Sequence, residues 1–167
     1  MRDTDQRHAR SLCMGRNAFD LRSFLRFAAS RANGLRRVLS DRLLSRASYA
    51  LSRLSGHHAF GDLAGGFCFL NNSAIAAERL RANGLRPTIL NIDVHHGNGT
   101  QGTFYDRNDV VTVSVHADPA RFHPFFWGHA HERGSGAGLG YNLNLPLARG
   151  ANDDDFLTTL ETVLTRE

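Results

Sequence analysis

Three short apolar runs limit what this chain can fold into: "PTILNIDV" at 87–94, "DVVTVSVHA" at 109–117 and "GYNLNLPL" at 140–147. Their length and β-branched content fit buried strands. Ahead of the first, "NNSAIAAERLRANG" at 71–84 predicts a helix. Asn71 or Asn72 supplies its cap, alanine and leucine fill it, and Gly84 ends it. The tail "ANDDDFLTTLETVLTRE" reads as an amphipathic helix whose acidic start complements the helix dipole. Strands alternating with helices predict an α/β fold with a mainly parallel central sheet flanked by helices.

The chain changes character near residue 56. Before it come "DLRSFLRFAASRA" and "GLRRVLSDRLLSRASYAL", with apolar residues at helical spacing. Residues 1–56 carry twelve arginines against four aspartates, and the protein has no lysine. A basic arm of this kind can meet an anionic partner. It carries no recognisable nucleic-acid motif, so specific nucleic-acid binding is not expected. Cys13 and Cys68 are too few for a disulfide framework, which predicts reduced thiols. No segment approaches the ~18–20 apolar residues of a membrane span. The first residues lack the apolar core of a secretory signal, and the expected location is cytoplasmic. At 167 residues the chain can bury one core, as one domain or part of a larger one.

The polar chemistry gathers where an α/β sheet puts it, beyond the carboxyl ends of strands. "NIDVHHGNGT" (91–100) places Asp93 and His95 at such an end. Two residues apart on an extended backbone, they face one side, and both are ordinary zinc ligands. Gly97 and Gly99 would let the chain turn sharply beside them. The competing reading is an aspartate capping the loop and a histidine packed at its edge. "SGHHAF" adds a second pair, His57 and His58. Adjacent histidines on a strand would face opposite ways, so a turn is needed to bring both to one pocket. A neutral imidazole near pH 7 can take a proton from metal-bound water and return it to a leaving amine.

"SGHHA", "GGFCFLNN", "DVHHGNGTQGTFY", "VSVHADP" and "GAGLGYNLNLPL" stand in the order found in the zinc-dependent histone deacetylase superfamily, which the sequence resembles from about Tyr49 to Leu147. "RFHPFFWGHAHERGSGAG" is most similar to the bacterial acetylpolyamine amidohydrolase branch. The resemblance implies a partial arginase/deacetylase-like fold. It implies Zn2+ held by Asp93 and His95, and catalysis by His57 and His58, with His58 matching the general base and acid. Gly66, Phe67 and His123 match the substrate channel. Asp93, His95, Ser114 and Val115 match a structural monovalent-cation site of the K+ kind, with Asn91 and Asn98 in supporting positions. The implied reaction is hydrolysis of an N-acetyl amide in an acetylpolyamine or acetyl-lysine. Zinc polarises the carbonyl and lowers the pKa of its water toward ~7. The developing oxyanion needs the metal and a hydrogen-bond donor.

The sequence also departs from the family's pattern. The family's third zinc ligand, an aspartate, and its oxyanion-donating tyrosine belong to segments beyond the point matching Glu167. Asp106, Asp109, Asp118, Asp153–Asp155, Tyr105 and Tyr141 fall in other motifs. The expected organisation is an Arg-rich, weakly matching segment over 1–48 and a partial deacetylase domain over 49–167. Leu54 replaces a proline, His123 an aromatic residue and His131 an aspartate. Asn91 replaces the first aspartate of the usual D-x-D-x-H-H run, and a neutral amide cannot stabilise an imidazolium by charge. Two functional expectations follow: a zinc-dependent N-acetyl amidohydrolase, and a catalytically incomplete member of the same family.

Overall fold

The structure is a computed structural model and describes residues 55–164. The Arg-rich segment, "SYALSR", Leu54 and Cys13 lie outside the described residues. Three parallel strands form one sheet in the order β1 (Thr88–Asn91), β2 (Val111–Ala117), β3 (Asn142–Leu147). Thr112 to His116 are all buried, as befits the middle strand. The registers bring Asn91 opposite Ser114, and Ser114 opposite Asn144.

The predicted helix is α1 (Asn72–Arg81), and Asn71 is its cap: the side chain accepts from Ala74 N at 3.0 Å. The cap does more than close the helix. Its Nδ2 donates to Ala59 O at 3.2 Å and Thr100 Oγ1 at 3.0 Å. Gly84 adopts a φ of 76° just past the helix end, the left-handed closure that favours glycine. A second, shorter helix, α2 (Asn98–Phe104), packs on α1 and β2. Ala74, Ala77, Phe104 and Val110 make the core between them, with Ile89 against it. Arg107 clamps this corner from outside, pairing with Glu78 and, at 2.8 and 2.9 Å, with both oxygens of Asp109.

The acidic tail forms α3 (Asp153–Leu164). Asn152 and Asp155 exchange hydrogen bonds of 3.0 Å between side chain and backbone N–H, a capping box. Phe156, Leu160 and Val163 are its half-buried stripe, at the predicted helical spacing.

One expectation about a strand needs correction. The run at 87–94 is extended only to Asn91, and Asp93–His95 form a bend. Asp93 and His95 therefore do not share a side by strand alternation. They meet because Asp93 Oδ1 accepts from His95 N at 2.8 Å, the self-closing turn that aspartate favours.

Candidate active site

The first histidine pair sits on a turn, as two adjacent histidines in one pocket require. Ala59 N donates to Gly56 O at 3.0 Å, with Gly56 at a φ of 87°. A Cβ on Gly56 would lie 2.0 Å from Leu70 O, so both conformation and space demand glycine. The amino end of α2 holds this turn from behind: Gly99 N and Thr100 N both donate to His57 O, at 2.8 and 3.1 Å. The sharp turn expected here is centred on Gly97, whose φ of −80° and ψ of 64° let Asn98 N donate to His96 O at 3.0 Å, although neither Gly97 nor Gly99 has a positive φ. Gly99 serves close approach instead. Its Cβ would lie 2.4 Å from His58 C and 2.5 Å from Ala59 N.

Hydrogen bonds set the tautomers of the pair. His58 Nδ1 lies 2.6 Å from Asn98 Oδ1, and His57 Nδ1 lies 3.1 Å from Asn91 Oδ1. Amide oxygens only accept, so each Nδ1 carries the proton and each Nε2 is left bare. Burial lowers both pKa values, that of His58 to about 4, where the neighbouring His57 adds to the effect. Near neutral pH both imidazoles are uncharged bases.

Opposite them lie the other candidate residues. The rings of His58 and His95 are 6.0 Å apart, and His123 is 5.2 Å from His58 and 5.9 Å from His95. Asp93 Oδ1 is 3.1 Å from His95 Nδ1. Burial pushes the Asp93 carboxyl up, but hydrogen bonds from His95 and the nearby imidazoles outweigh it and leave the group below its usual value. Gly66 presses on His58: a Cβ there would lie 2.3 Å from His58 Cδ2, and its φ is 51°. Phe67 beside it is 70% exposed at a φ of 61°, a costly conformation for a bulky residue. A narrow cleft lies among His58, Asn98, His123 and Phe126. A separate cavity of about 620 Å³ opens on the other side of Asp93, bounded by Ile92, His116, Arg121 and Phe122. His58 lines the small cleft, whereas Asp93 lines the larger cavity.

Ser114 and Val115 are buried in β2. Asn91 Nδ2 donates to Ser114 Oγ at 3.0 Å and to His95 O at 3.1 Å. A further buried polar cluster escaped the sequence reading. Glu132 Oε2 accepts from Gly128 N and Gln101 Nε2, both at 2.8 Å, while Gln101 Oε1 accepts from Asn142 and Asn144. The alternation of Asn142 and Asn144 on one face of a strand was the available signal. This cluster fastens the loop carrying His123 and Phe125 to the sheet.

An Asp–His bend thus follows the carboxyl end of β1 in a parallel sheet, with the paired histidines beside it. The histone deacetylase domain matches residues 10–166, and the chain belongs to that family. It is 52% identical over 118 residues to an acetylpolyamine amidohydrolase of Burkholderia pseudomallei, covering 71% of this chain and 35% of the relative. An acetylpolyamine amidohydrolase of Mycoplana ramosa is 51% identical over 106 residues, covering 63% and 31%. Among solved structures, an acetylpolyamine aminohydrolase from B. pseudomallei superposes with a TM-score of 0.77 at 47% identity, over 81% of this chain and 40% of the other. A histone deacetylase homologue from Aquifex aeolicus gives 0.75 at 37%, over 81% and 36%. The chain thus spans about a third of the length of the curated relatives it matches.

The family is zinc-dependent. Two ligands on a tetrahedral zinc at 2.0–2.1 Å stand roughly 3.3 Å apart, close to the 3.1 Å between Asp93 Oδ1 and His95 Nδ1. That pair fits one edge of a zinc site. Among the described residues no group of three histidine, cysteine or acidic side chains is placed to hold a metal ion.

No helix among the described residues is long and apolar enough to cross a membrane. Cys68 is buried and unpaired among them.

Proposed function

We propose that these residues form part of the active site of a cytoplasmic zinc-dependent hydrolase of N-acetyl amides, with small acetylated polyamines as its substrates. The observation that carries this reading is the placement of His58, 6.0 Å ring to ring from His95, beside the Asp93–His95 pair. Asp93 and His95 would hold the metal, which would polarise the acetyl carbonyl and acidify water. His58, rigidly oriented by Asn98, takes the proton at Nε2 and delivers it to the departing amine. His57, oriented by Asn91, would offer a second uncharged base beside His58. His123, Gly66 and Phe67 shape the entrance. The relatives' names, acetylpolyamine amidohydrolase, support the polyamine over an acetyl-lysine peptide.

The test is release of acetate from N-acetylputrescine and from an acetyl-lysine peptide by the zinc-loaded protein. Polyamine turnover is expected, with loss of at least 100-fold in His58→Ala, and a fall in zinc affinity of similar size in Asp93→Ala. Turnover undiminished in either variant refutes the assignment. The count of two metal donors among the described residues favours a second reading, a family member without turnover. Stoichiometric zinc uptake with no acetate release would establish it.

A further inference from the structure

Asn91 stands where the family pattern has an aspartate, and its hydrogen bonds show what the exchange does. His95 O can only accept, so the amide group 3.1 Å from it is the NH2. This fixes the flip of the side chain: Nδ2 faces His95 O and Ser114 Oγ, and Oδ1 faces the Nδ1–H of His57. The chain of contacts continues. His116 Nε2 lies 2.9 Å from Gly128 O, and its Nδ1 lies 2.9 Å from Ser114 Oγ and 3.1 Å from Ser114 O. The Ser114 hydroxyl oxygen has two lone pairs, so it can meet His116 Nδ1 at 2.9 Å and still accept from Asn91.

That arrangement conflicts with the monovalent cation that the family resemblance places among Asp93, His95, Ser114 and Val115. A cation needs oxygen lone pairs, with carboxylate charge to offset its dehydration. Here two of the oxygens, His95 O and Ser114 Oγ, are already engaged by an N–H donor whose positive end points into the site. The residue bearing that donor is neutral.

We propose that the Asn91 amide takes the place of the monovalent cation, so that hydrogen bonds alone tie β1 to β2 and orient His57. Asn91 is a positioning residue in this role. The inference concerns the bonding of the fold and not turnover, so it stands or falls separately from the deacetylase reading.

The experiment is thermal denaturation of the wild-type protein in KCl, NaCl and choline chloride at equal ionic strength. The melting temperature is expected to agree among the three salts within about 1 °C. Asn91→Asp, which restores the carboxylate, is expected to gain roughly 5 °C between 1 and 100 mM K+. A saturable K+-dependent rise in the wild type overturns the proposal, as does a folded Asn91→Asp that ignores K+. If the variant does not fold, crystals of the wild type grown in rubidium chloride decide the matter. An anomalous peak between His95 O and Ser114 Oγ refutes the substitution, and its absence beside an ordered Asn91 supports it. A nitrogen-coupled Nδ1–H resonance from neutral His57 is expected in either case, and its absence contradicts the amide orientation.

Discussion

Replacing Gly99 by alanine tests how the histidine turn is held, because Gly97 provides a matched control two residues away. Neither glycine has a positive φ, so backbone strain does not separate them. Space does. A Cβ at Gly99 would meet His58 C at 2.4 Å, Ala59 N at 2.5 Å and Ala59 O at 2.6 Å, whereas Cβ contacts below 3.0 Å are essentially never seen. The neighbours are backbone atoms and cannot swing aside. At Gly97 the nearest atoms, of His57 and Asn91, lie at 3.5 and 3.6 Å, ordinary contact. Overpacking of this kind costs about 1–3 kcal/mol. Stretching the two bonds from Gly99 N and Thr100 N to His57 O adds roughly 1 kcal/mol, against a helix-propensity gain of about 1 kcal/mol. A net loss of about 1–3 kcal/mol lowers the melting temperature by roughly 2–12 °C for a protein of this size. Gly97→Ala, at a helix cap, is expected to cost about 1 kcal/mol or less. Circular dichroism melts of the three proteins decide. Equal melting temperatures for Gly99→Ala and the wild type would refute the close approach, and equal losses in both variants would refute the distinction between them.

Acid should destabilise the metal-free protein through its buried imidazoles. Burial, with His116 beside it, lowers the His96 pKa to about 3. Above about pH 6.5 folded and unfolded chains are both neutral there; below it only the unfolded chain takes the proton, so stability falls as pH drops toward 3. Between pH 7 and 5 His96 alone should remove on the order of 2 kcal/mol, read as a lower urea midpoint, and a flat midpoint would contradict its burial as a neutral ring. Asn71→Ala removes the cap of α1 and both buried amide bonds, to Ala59 O and Thr100 Oγ1. A loss of about 2–4 kcal/mol in urea denaturation is expected, and a loss below about 1 kcal/mol would show that the bonds are dispensable.

Much of the fold was legible because its signals are local. Asn71 and Gly84 mark the ends of α1, the apolar runs mark three strands, and Asn152 opens α3 by its own side chain. The turn under His57 and His58 followed from the geometry of adjacent residues. What escaped depends on pairing between distant segments. The stop of β1 at Asn91 was invisible within "PTILNIDV", whose apolar pattern runs on past it. The role of Gly99 depends on the backbone of a segment some forty residues earlier. Gln101, Glu132, Asn142 and Asn144 look like ordinary polar residues until the strand register and the returning loop bury them together. The bond from Asn91 to Ser114 likewise exists only because the parallel register sets those two residues side by side.

The reach of the Asn71 side chain has a consequence for motion. One amide joins the start of α1, the chain just after the histidine turn, and the first turn of α2. These pieces cannot open independently. The amide protons of Ala74, Gly99 and Thr100 should therefore exchange with solvent as one cooperative unit, with a common opening free energy. The bases of this centre would then lose their orientation all at once, and never by the fraying of a single loop.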